Sequence, residues 1–370
     1  MRLLILNQNY PHLDNLLGDV FVHVRAKEYV KRHQVKIFAY PEAPASIVYE
    51  GMELLRYNDQ ASLVEAIRAY NPDKILIHFY QSWMLDKIIN VFNVPVIIWV
   101  HGYEALGWYR RLFNYNLLSP VFFNFVRKNV YQQYHFRKLI NHANKTGRVT
   151  FVFVSNWMRK ITEQDTLARI KKYNIIPNPI DTRLFDYRKK DDAQRKNVLI
   201  LRSFDSRKYA NDVSVEAMIE LSKKPVFSDY SFTVMGKGSL FHKTLAPVRG
   251  FANVCIKEGV VRQVNIPDLH KDHGIFLCPT RQDAQGVSMC EAMSSGLVPV
   301  TTDNTAIPEF VTDKQTGCLT ESPKEIADAL LQIGEDPQWF QRLSAAAAAS
   351  MRSLCAIEAI TEKELRLIEN

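Results

Sequence analysis

The chain has 370 residues, of which 47% are hydrophobic and 23% charged, and its formal net charge is +8 at pH 7. This length fits two domains better than one core, and no apolar run approaches the ~18 residues of a membrane span. The first apolar run turns polar too soon for a signal peptide, and the five scattered cysteines, with no Cys-x-x-Cys pair, are typical of reduced core residues. We therefore expect a cytoplasmic protein without disulfides or a cysteine metal site.

The first half of the chain alternates short apolar runs with amphipathic stretches. The predicted strands are RLLILN, VKIFAY, KILIHF, VPVIIWV and VTFVFV, and a helix is predicted from Val20 to Arg32. Apolar strands of this length, separated by helices, favour a parallel sheet that is covered on both faces. We therefore predict an α/β domain here.

Residues 105–162 form a basic-aromatic segment that accounts for the net positive charge. This segment has ten Lys or Arg and no Asp or Glu, whereas the rest of the chain has 37 basic and 39 acidic residues. Ten aromatic residues lie between Trp108 and Phe136. Aromatic rings settle at the headgroup level of a bilayer, and each Lys or Arg near an anionic surface adds ~1 kcal/mol of attraction. The segment therefore indicates an anionic membrane surface as a partner.

Two other interpretations of the basic-aromatic segment stay open. Its aromatic residues are also typical of a helical core beneath a solvated basic face. Nucleic acid attracts basic patches as well, but the sequence has no nucleic-acid fold motif and is more hydrophobic here than phosphate contacts need. We therefore expect no nucleic-acid partner.

A second alternating pattern begins after residues 175–197, where two prolines flank Asn178 and a highly charged stretch follows. Its predicted strands are NVLILR, SFTVMG, NVCIKEG, GIFLCP and LVPVTT, with helices predicted from Val213 to Lys223 and in the alanine-rich stretch near the end. We predict two Rossmann-like, doubly wound α/β domains, residues 1–180 and 181–350, that face each other across a cleft. Residues 351–370 are predicted to form a helix that packs back on the first domain. Ligands of such sheets bind at the carboxyl ends of the strands.

The order of several short motifs resembles one known family. HGYE follows a strand of the first half, then come VSNWM, IPNPID, RSFDSRK, DAQGVSMCEAM and IPEFV. Over nearly its whole length the chain resembles the retaining glycosyltransferases of the GT-B fold, in particular glycosyltransferase family 4. The resemblance is strongest in the second half, which binds the nucleotide-sugar donor in that family, and weaker in the first half, which binds the acceptor.

The motif DAQGVSMCE carries two acids around a glycine. A helix N-terminus exposes free N–H groups, so the turn at Gly286, Val287 and Ser288 is a predicted diphosphate site. By resemblance, Glu291 accepts hydrogen bonds from the ribose and Asp283 from the transferred sugar, where the family usually has a longer Glu. The alternative interpretation is that Asp283 is a loop acid and Glu291 an exposed helix residue.

Three cations follow the first strand of the second half. The released diphosphate must be stabilised by cations or a metal ion, and the sequence lacks the Asp-x-Asp signal of metal-dependent glycosyltransferases. By resemblance, Arg202 and Lys208 hold the phosphates, so we expect no metal and no cofactor. Arg207 has the family's spacing from Arg202 and is the alternative, because Lys208 precedes Tyr209 where the family has glycine.

Four further positions match the family's site. By resemblance, His101 contacts the donor sugar and is not a general base, because the leaving phosphate takes the acceptor's proton in the mechanism proposed for the family. Gly18 matches the first of two glycines near the donor phosphate and acceptor. Asp19 replaces the second, and we expect it to be a helix N-cap, with contact to an acceptor hydroxyl as the alternative. Glu309 matches an acid beside the site, at a position that also favours helix initiation.

The resemblance implies a retaining, metal-independent glycosyltransferase that moves a sugar from a nucleotide-sugar to a glycan acceptor. Together with the basic-aromatic segment, it indicates a lipid-linked glycan of bacterial surface polysaccharide assembly and a peripheral position on the inner face of the cytoplasmic membrane. Two alternatives have the same fold: a sugar-nucleotide epimerase, and a non-catalytic member that binds glycan or membrane. The second is motivated by Asp283 and by the missing second glycine.

Overall fold

A computed structural model describes residues 1–15 and 18–370 of the chain. The chain divides into two compact units: the first comprises Met1–Pro179 and Ile357–Asn370, and the second comprises Ile180–Ala356. The division along the chain falls directly after the Asn178 segment. The last helix belongs to the first unit from residue 357 onward.

The described part of the first unit contains an eight-stranded sheet in the order β3-β4-β2-β1-β5-β6-β7-β8. Its strands are β1 (Arg2–Asn7), β2 (Gln34–Ala39), β3 (Ala45–Tyr49), β4 (Met52–Arg56), β5 (Lys74–His78), β6 (Val96–Val100), β7 (Val149–Phe153) and β8 (Tyr173–Ile175). The helices that follow within residues 1–179 are α1 (Val20–Tyr29), α2 (Gln60–Tyr70), α3 (Pro120–Thr146) and α4 (Asn156–Thr166). A π-helical turn spans Leu85–Ile89, and 3-10 helices span Tyr103–Ala105 and Trp108–Asn114.

The strands of the first unit pair in parallel except at one edge, where β3 and β4 are antiparallel. The strands β6 and β7 are buried along their whole length, as their continuous apolar sequences predict. The long helix α3 is capped at its N-terminus by Ser119, whose Oγ accepts the N–H of Phe122 at 3.2 Å, and at its C-terminus by Gly147, with a left-handed φ of 69°. The helix carries six of the ten aromatic residues between Trp108 and Phe136.

The second unit contains a parallel sheet whose described strands run in the order β11-β10-β9-β12-β13-β14. The strands are β9 (Asn197–Leu201), β10 (Ser231–Gly236), β11 (Val254–Glu258), β12 (Ile275–Leu277), β13 (Val298–Thr302) and β14 (Cys318–Thr320). The helices are α5 (Asn211–Ser222), α6 (Phe241–Leu245), α7 (Ile266–Asp272), α8 (Val287–Ser294), α9 (Pro323–Glu335) and α10 (Pro337–Cys355). The 3-10 helices are Asp192–Lys196, Arg207–Tyr209, Pro225–Asp229, Ala246–Val248, Gln263–Asn265 and Ile307–Glu309.

The alanine-rich region forms two helices instead of one. The first, α10, ends at Cys355 because Ala356 has an extended conformation with ψ of 132°. The chain then continues as α11 (Ile357–Glu369), which buries Ile360, Leu365 and Ile368 in the core of the first unit. Ala356 therefore separates α10, the last helix of the second unit, from α11, which belongs to the first unit.

The environment of the cysteines corrects one expectation. Four of the five are buried, but Cys255 on β11 is exposed and is not a core residue. Its strand has the alternating burial of a strand at the edge of a sheet.

None of the helices within residues 1–15 and 18–370 has the length and apolarity that crossing a bilayer requires.

Candidate functional site

In the second unit, Arg202 follows β9 and contacts the first turn of α8. Its Nη1 donates to Ser288 Oγ at 3.0 Å, and its Nη2 donates to the carbonyl oxygen of Cys278 at 3.1 Å. The rings of Tyr209 and Phe276 flank the guanidinium, at 5.5 and 5.8 Å from its carbon. The side chain is nearly buried, and its Nε has no hydrogen-bond partner among the described residues. The structure thus holds a fixed cation against a helix N-terminus.

The turn before α8 requires a glycine. Gly286 is the N-cap and has a left-handed φ of 80°, which is strained for residues with a Cβ. The first helical positions, Val287 and Ser288, have no intrahelical acceptor for their N–H groups, because the acceptors would lie before the helix. These N–H groups carry the positive end of the helix dipole. With Arg202, they form a concentration of positive charge that suits a phosphate.

Asp283 organises the loop before α8. Its Oδ1 accepts the N–H groups of Gln285 at 3.3 Å and Gly286 at 2.9 Å, so the carboxylate closes the turn in the way that an Asx turn does. This is the loop role that the alternative interpretation predicted. Oδ2 has no hydrogen-bond partner in the part of the chain that the structure describes, so one oxygen is available to a ligand.

Glu291 is buried on α8, contrary to the alternative interpretation of an exposed helix residue. Its Oε1 accepts Nε2 of Gln263 at 2.7 Å. Burial raises the pKa of Glu291 to about 7, although the hydrogen bond from Gln263 lowers it. Sequence reasoning missed Gln263, because this residue precedes α7 and reaches Glu291 only through the packing of the unit.

The two candidate phosphate cations after Arg202 have different environments. The Lys208 ammonium lies 5.1 Å from the centroid of the Tyr209 ring, which Arg202 also contacts. Arg207 is exposed and lines a cavity of about 330 Å³ that also includes side chains of α5 and α6. Lys208 and Arg202 therefore contact the same Tyr209 ring, whereas Arg207 lines the cavity beside α5 and α6.

Glu309 ends a single 3-10 turn, Ile307–Glu309, instead of beginning an α-helix. The residue is exposed. The turn nevertheless adjoins the Asp283 loop, because the N–H of Ala306 donates to the carbonyl oxygen of Asp283 at 3.3 Å. The structure therefore positions the turn that carries Glu309 next to the Asp283 loop.

In the first unit, His101 and Glu104 occupy the turn at the carboxyl end of β6. Glu104 is buried, and its two oxygens accept the N–H groups of His101 at 2.5 Å and Gly102 at 3.0 Å. Burial raises the pKa of Glu104 to about 7, against the lowering effect of these N–H donors. Glu104 was missed as a site residue, although it is the last residue of the HGYE motif. Its carboxyl group holds the turn that presents His101.

Asp19 does not cap α1 as expected. Its side chain makes no cap hydrogen bond, and its Oδ2 accepts Nδ2 of Asn7 at 3.0 Å instead. Burial raises the pKa of Asp19 to about 7, and the nearby charge of Glu104 raises it further while Asn7 lowers it. Asp19, just before α1, and Glu104, after β6, are therefore two carboxyl groups with raised pKa values in one neighbourhood of the first unit.

Gly18 has no room for a side chain. A Cβ at this position would lie 2.6 Å from the backbone nitrogen of Pro11 and 2.7 Å from the carbonyl oxygen of Asn9. We expect Gly18→Ala to lower the free energy of unfolding by about 1–3 kcal/mol, the usual cost of overpacking, as measured by urea denaturation. The matched control is Gly250→Ala, where a Cβ meets nothing within 4 Å, and we expect no significant change. Equal denaturation midpoints for the two variants would contradict the steric role of Gly18.

The second unit matches a known family by sequence. The model described as glycosyl transferases group 1 matches residues 195–336, which include Arg202, the Gly286 turn and Glu291. No curated protein matches the chain by sequence. The match thus covers the candidate phosphate site but none of the first unit.

Several solved structures are similar to the chain over nearly its whole length. Sucrose-phosphate synthase from Thermosynechococcus elongatus has a TM-score of 0.77 at 14% identity, over 100% of this chain and 98% of that chain. HepE from Anabaena, in complex with UDP and glucose, has a TM-score of 0.75 at 15% identity, over 100% of both chains. A glycosyltransferase from Rickettsia africae has a TM-score of 0.71 at 13% identity, over 99% of this chain and 97% of that chain.

These similarities confirm the predicted fold class, a two-domain α/β architecture with parallel sheets. At such low sequence identities the similar structures show only the fold. The evidence for the activity comes from the family match of residues 195–336. The chain has the GT-B fold of these proteins, and the findings together support a glycosyltransferase of group 1.

Proposed function

We propose that the chain is a retaining glycosyltransferase of family 4 that moves a sugar from a nucleotide-sugar to a glycan acceptor. The observation that carries the proposal is the contact of Arg202 with Ser288 at the N-terminus of α8, with the buried carboxyl of Glu291 one turn further along the same helix. An arginine and free backbone N–H groups suit a pyrophosphate, and a buried carboxylate suits ribose hydroxyls. The UDP and glucose bound by the similar HepE structure are consistent with such a donor.

The proposed chemistry uses the positive charge of the second unit. The bond between the anomeric carbon and a phosphate oxygen breaks, the acceptor oxygen bonds to that carbon, and the acceptor's proton passes to the leaving phosphate. Arg202, Lys208 and the N–H groups of Val287 and Ser288 stabilise the charge that develops on the diphosphate. We therefore propose a reaction without a metal ion. Transfer should persist in excess EDTA, and loss of transfer that Mg²⁺ or Mn²⁺ restores would refute this part.

A thermal-shift screen across UDP-, GDP- and ADP-sugars tests the donor. A ligand that binds only the folded state raises the free energy of unfolding, by about 2.7 kcal/mol at a hundredfold excess over Kd. The unfolding temperature rises with it. We expect one nucleotide class to give a saturable shift. If none of the three does, the proposed donor class is wrong. The epimerase alternative is tested separately, by incubating that donor without acceptor, because only an epimerase converts it to an isomeric donor.

The raised pKa of Glu291 predicts that donor binding depends on pH. Only the ionised carboxylate accepts hydrogen bonds from both ribose hydroxyls, and the pKa of Glu291 is raised to about 7 by burial. Lowering the pH from 8 to 6 protonates it, so we expect the affinity for a nucleotide-sugar to fall across this range. Isothermal titration of wild type and of Glu291→Gln checks this, because the variant should bind more weakly with a flatter pH profile. Identical profiles would contradict the ribose role.

We further propose that the enzyme docks on an anionic membrane through α3. Phe123, Arg127 and Tyr131 are spaced four residues apart and share one helix face. This docking face consists of exposed apolar and basic side chains: Phe123, Arg127, Val130, Tyr131, Tyr134 and Lys138.

The surroundings of the docking face support an anionic lipid surface. Leu118, just before α3, is 87% exposed, although leucine is usually buried. A cavity of about 390 Å³ beside Arg127, Lys128 and Tyr131 is large enough for a lipid headgroup. Apolar contact and positive charge together are what a peripheral membrane helix needs. A lipid-linked glycan of bacterial surface polysaccharide assembly, at the inner face of the membrane, is the acceptor that such docking favours.

Liposome flotation tests the docking face. We expect the protein to float with vesicles that contain phosphatidylglycerol and not with pure phosphatidylcholine, and to detach as salt is raised. Phe123→Ser combined with Tyr131→Ser should abolish flotation, whereas Val48→Ser, at an exposed valine on β3, should not. Absence of flotation with both vesicles, or equal flotation by the two variants, would refute membrane docking by this face.

A further inference from the structure

A line of buried polar groups in the first unit ends at His101. Nε2 of His101 lies 3.0 Å from Nδ1 of His78, and the same Nδ1 lies 3.5 Å from Nη1 of Arg25. Nη2 of Arg25 lies 3.3 Å from Oε1 of Glu364 on α11. Arg25, His78 and Glu364 are fully buried. Four side chains therefore connect the last helix of the chain to the candidate site residue at the end of β6.

The charge of Arg25 is compensated inside this group. Glu364 accepts the hydroxyl of Tyr29 at 2.5 Å and Nε1 of Trp99 at 3.1 Å, in addition to its ion pair with Arg25. Nη2 of Arg25 also donates to Oδ1 of Asn178 at 3.0 Å. Such hydrogen bonds help a protein to tolerate a buried ion pair, although Nε of Arg25 has no partner among the described residues. The guanidinium therefore stays charged, as arginine does in proteins.

The charged guanidinium determines where the protons of both histidines lie. Arginine only donates hydrogen bonds, so the atom that faces it, Nδ1 of His78, carries a lone pair and no proton. His78 then carries its proton on Nε2. Since Nδ1 of His78 accepts, the neighbouring Nε2 of His101 must be the donor. His101 is therefore protonated on Nε2, and its Nδ1 carries a lone pair.

Both imidazoles are neutral in this environment. Burial lowers the pKa of His101 well below its usual value, and the charge of Arg25 lowers it further. Phe21 and Phe79 contact the half-buried His101 ring, with centroids at 4.8 and 4.7 Å, and reduce the hydration that an imidazolium would need. Nδ1 of His101 is buried and has no hydrogen-bond partner within residues 1–15 and 18–370.

We propose that Arg25 is a positioning residue that, through His78, fixes the tautomer of His101 so that Nδ1 is presented as a hydrogen-bond acceptor for a substrate hydroxyl. The nature of that substrate rests on the proposed function, whereas the tautomer does not. Glu364 supports the arrangement by keeping Arg25 charged and oriented. The choice of tautomer matters, because a histidine protonated on Nδ1 would meet a hydroxyl as a donor instead.

Histidine NMR measures the tautomer directly and needs no turnover. In protein labelled with ¹⁵N-histidine, long-range ¹H–¹⁵N correlations distinguish a proton on Nε2 from one on Nδ1, and His101→Asn and His78→Asn assign the two signals. We expect both residues of the wild type to be protonated on Nε2. A proton on Nδ1 of either residue in the wild type would overturn the proposal.

The double variant Arg25→Met, Glu364→Gln tests whether Arg25 is the cause. It replaces the buried pair with neutral side chains, which proteins often tolerate. We expect both histidines to lose the single tautomer, while His270 in the second unit, hydrogen-bonded to Ser295, keeps its signal. Arg25→Lys keeps a donor and a charge and should preserve the wild-type tautomers. Unchanged tautomers in the double variant would overturn the role of Arg25.

Kinetics then connect the tautomer to the substrate. If Nδ1 accepts a hydrogen bond from a substrate hydroxyl, kcat/KM of the double variant should fall about tenfold or more. The Arg25→Lys variant should keep most of the wild-type kcat/KM. Full activity in a double variant whose tautomers have changed would show that the acceptor is not used. Failure of the proposed function itself is detected elsewhere, as the absence of any nucleotide-sugar thermal shift in the wild type.

Discussion

Replacing Arg202 by methionine is expected to lower kcat/KM for the nucleotide-sugar by about 10²–10³-fold, the usual effect of removing one preorganised donor to a developing negative charge. Methionine preserves much of the apolar packing between Tyr209 and Phe276 but removes the charge and the donors to Ser288 and Cys278. The affinity for the nucleotide diphosphate alone should fall in parallel. Steady-state kinetics and isothermal titration measure the two effects.

Two variants separate this role of Arg202 from a general effect of charge or folding. Arg249→Met removes an exposed arginine of the same unit, whose Nη2 contacts His242 at 2.7 Å, and should leave kcat/KM within about twofold. Arg202→Lys keeps the charge without the planar fork and should lie between wild type and Arg202→Met. Undiminished nucleotide binding by a folded Arg202→Met protein would contradict the phosphate role.

Replacing Glu364 by glutamine is expected to lower the free energy of unfolding of the first unit by about 3–5 kcal/mol, the cost of leaving a buried charge without its partner. Arg25 is fully buried and loses its counter-ion, and the acceptor for Tyr29 and Trp99 changes from a carboxylate to an amide. Urea denaturation followed by tryptophan fluorescence measures the change. Four of the five tryptophans, Trp99 among them, lie in the first unit.

The matched control lies on the same helix. Glu362 is half-buried, and its pairs with Arg32 and Arg366 lie at the surface, where ion pairs contribute little. Glu362→Gln should therefore leave the denaturation midpoint almost unchanged. A midpoint for Glu364→Gln equal to that of Glu362→Gln would show that the buried pair does not stabilise the first unit.

Much of the fold follows from the sequence because buried parallel strands are continuous apolar runs. All ten predicted strands are present, among them VPVIIWV and GIFLCP. Three of the four strands missed, β3, β8 and β14, lie at sheet edges, and the fourth, β4, pairs with β3. β3 alternates partly buried with exposed residues. Such strands depend on their neighbours more than on their own composition. The break at Ala356 was missed for a similar reason, since alanine itself favours the helix.

The candidate site was predictable where one short motif carries it. Gly286, Ser288 and Glu291 lie on a single turn and helix, so their sequence spacing already defines their geometry. Gln263 and Arg25 were missed because their partners are distant in the chain: Gln263 meets Glu291, and Arg25 meets Glu364. Asp19 was assigned a cap from its position, but the nearby amide of Asn7 is its partner instead. Tertiary packing decides such pairings.

A crystal structure of the chain with a bound nucleotide-sugar, of the class that the thermal-shift screen selects, tests the central claim most directly. The account predicts that pyrophosphate oxygens lie within about 3 Å of the Arg202 guanidinium and of the N–H groups of Val287 or Ser288, with the ribose hydroxyls on Glu291. A nucleotide-sugar bound with its pyrophosphate away from Arg202 and from the N-terminus of α8 would contradict it.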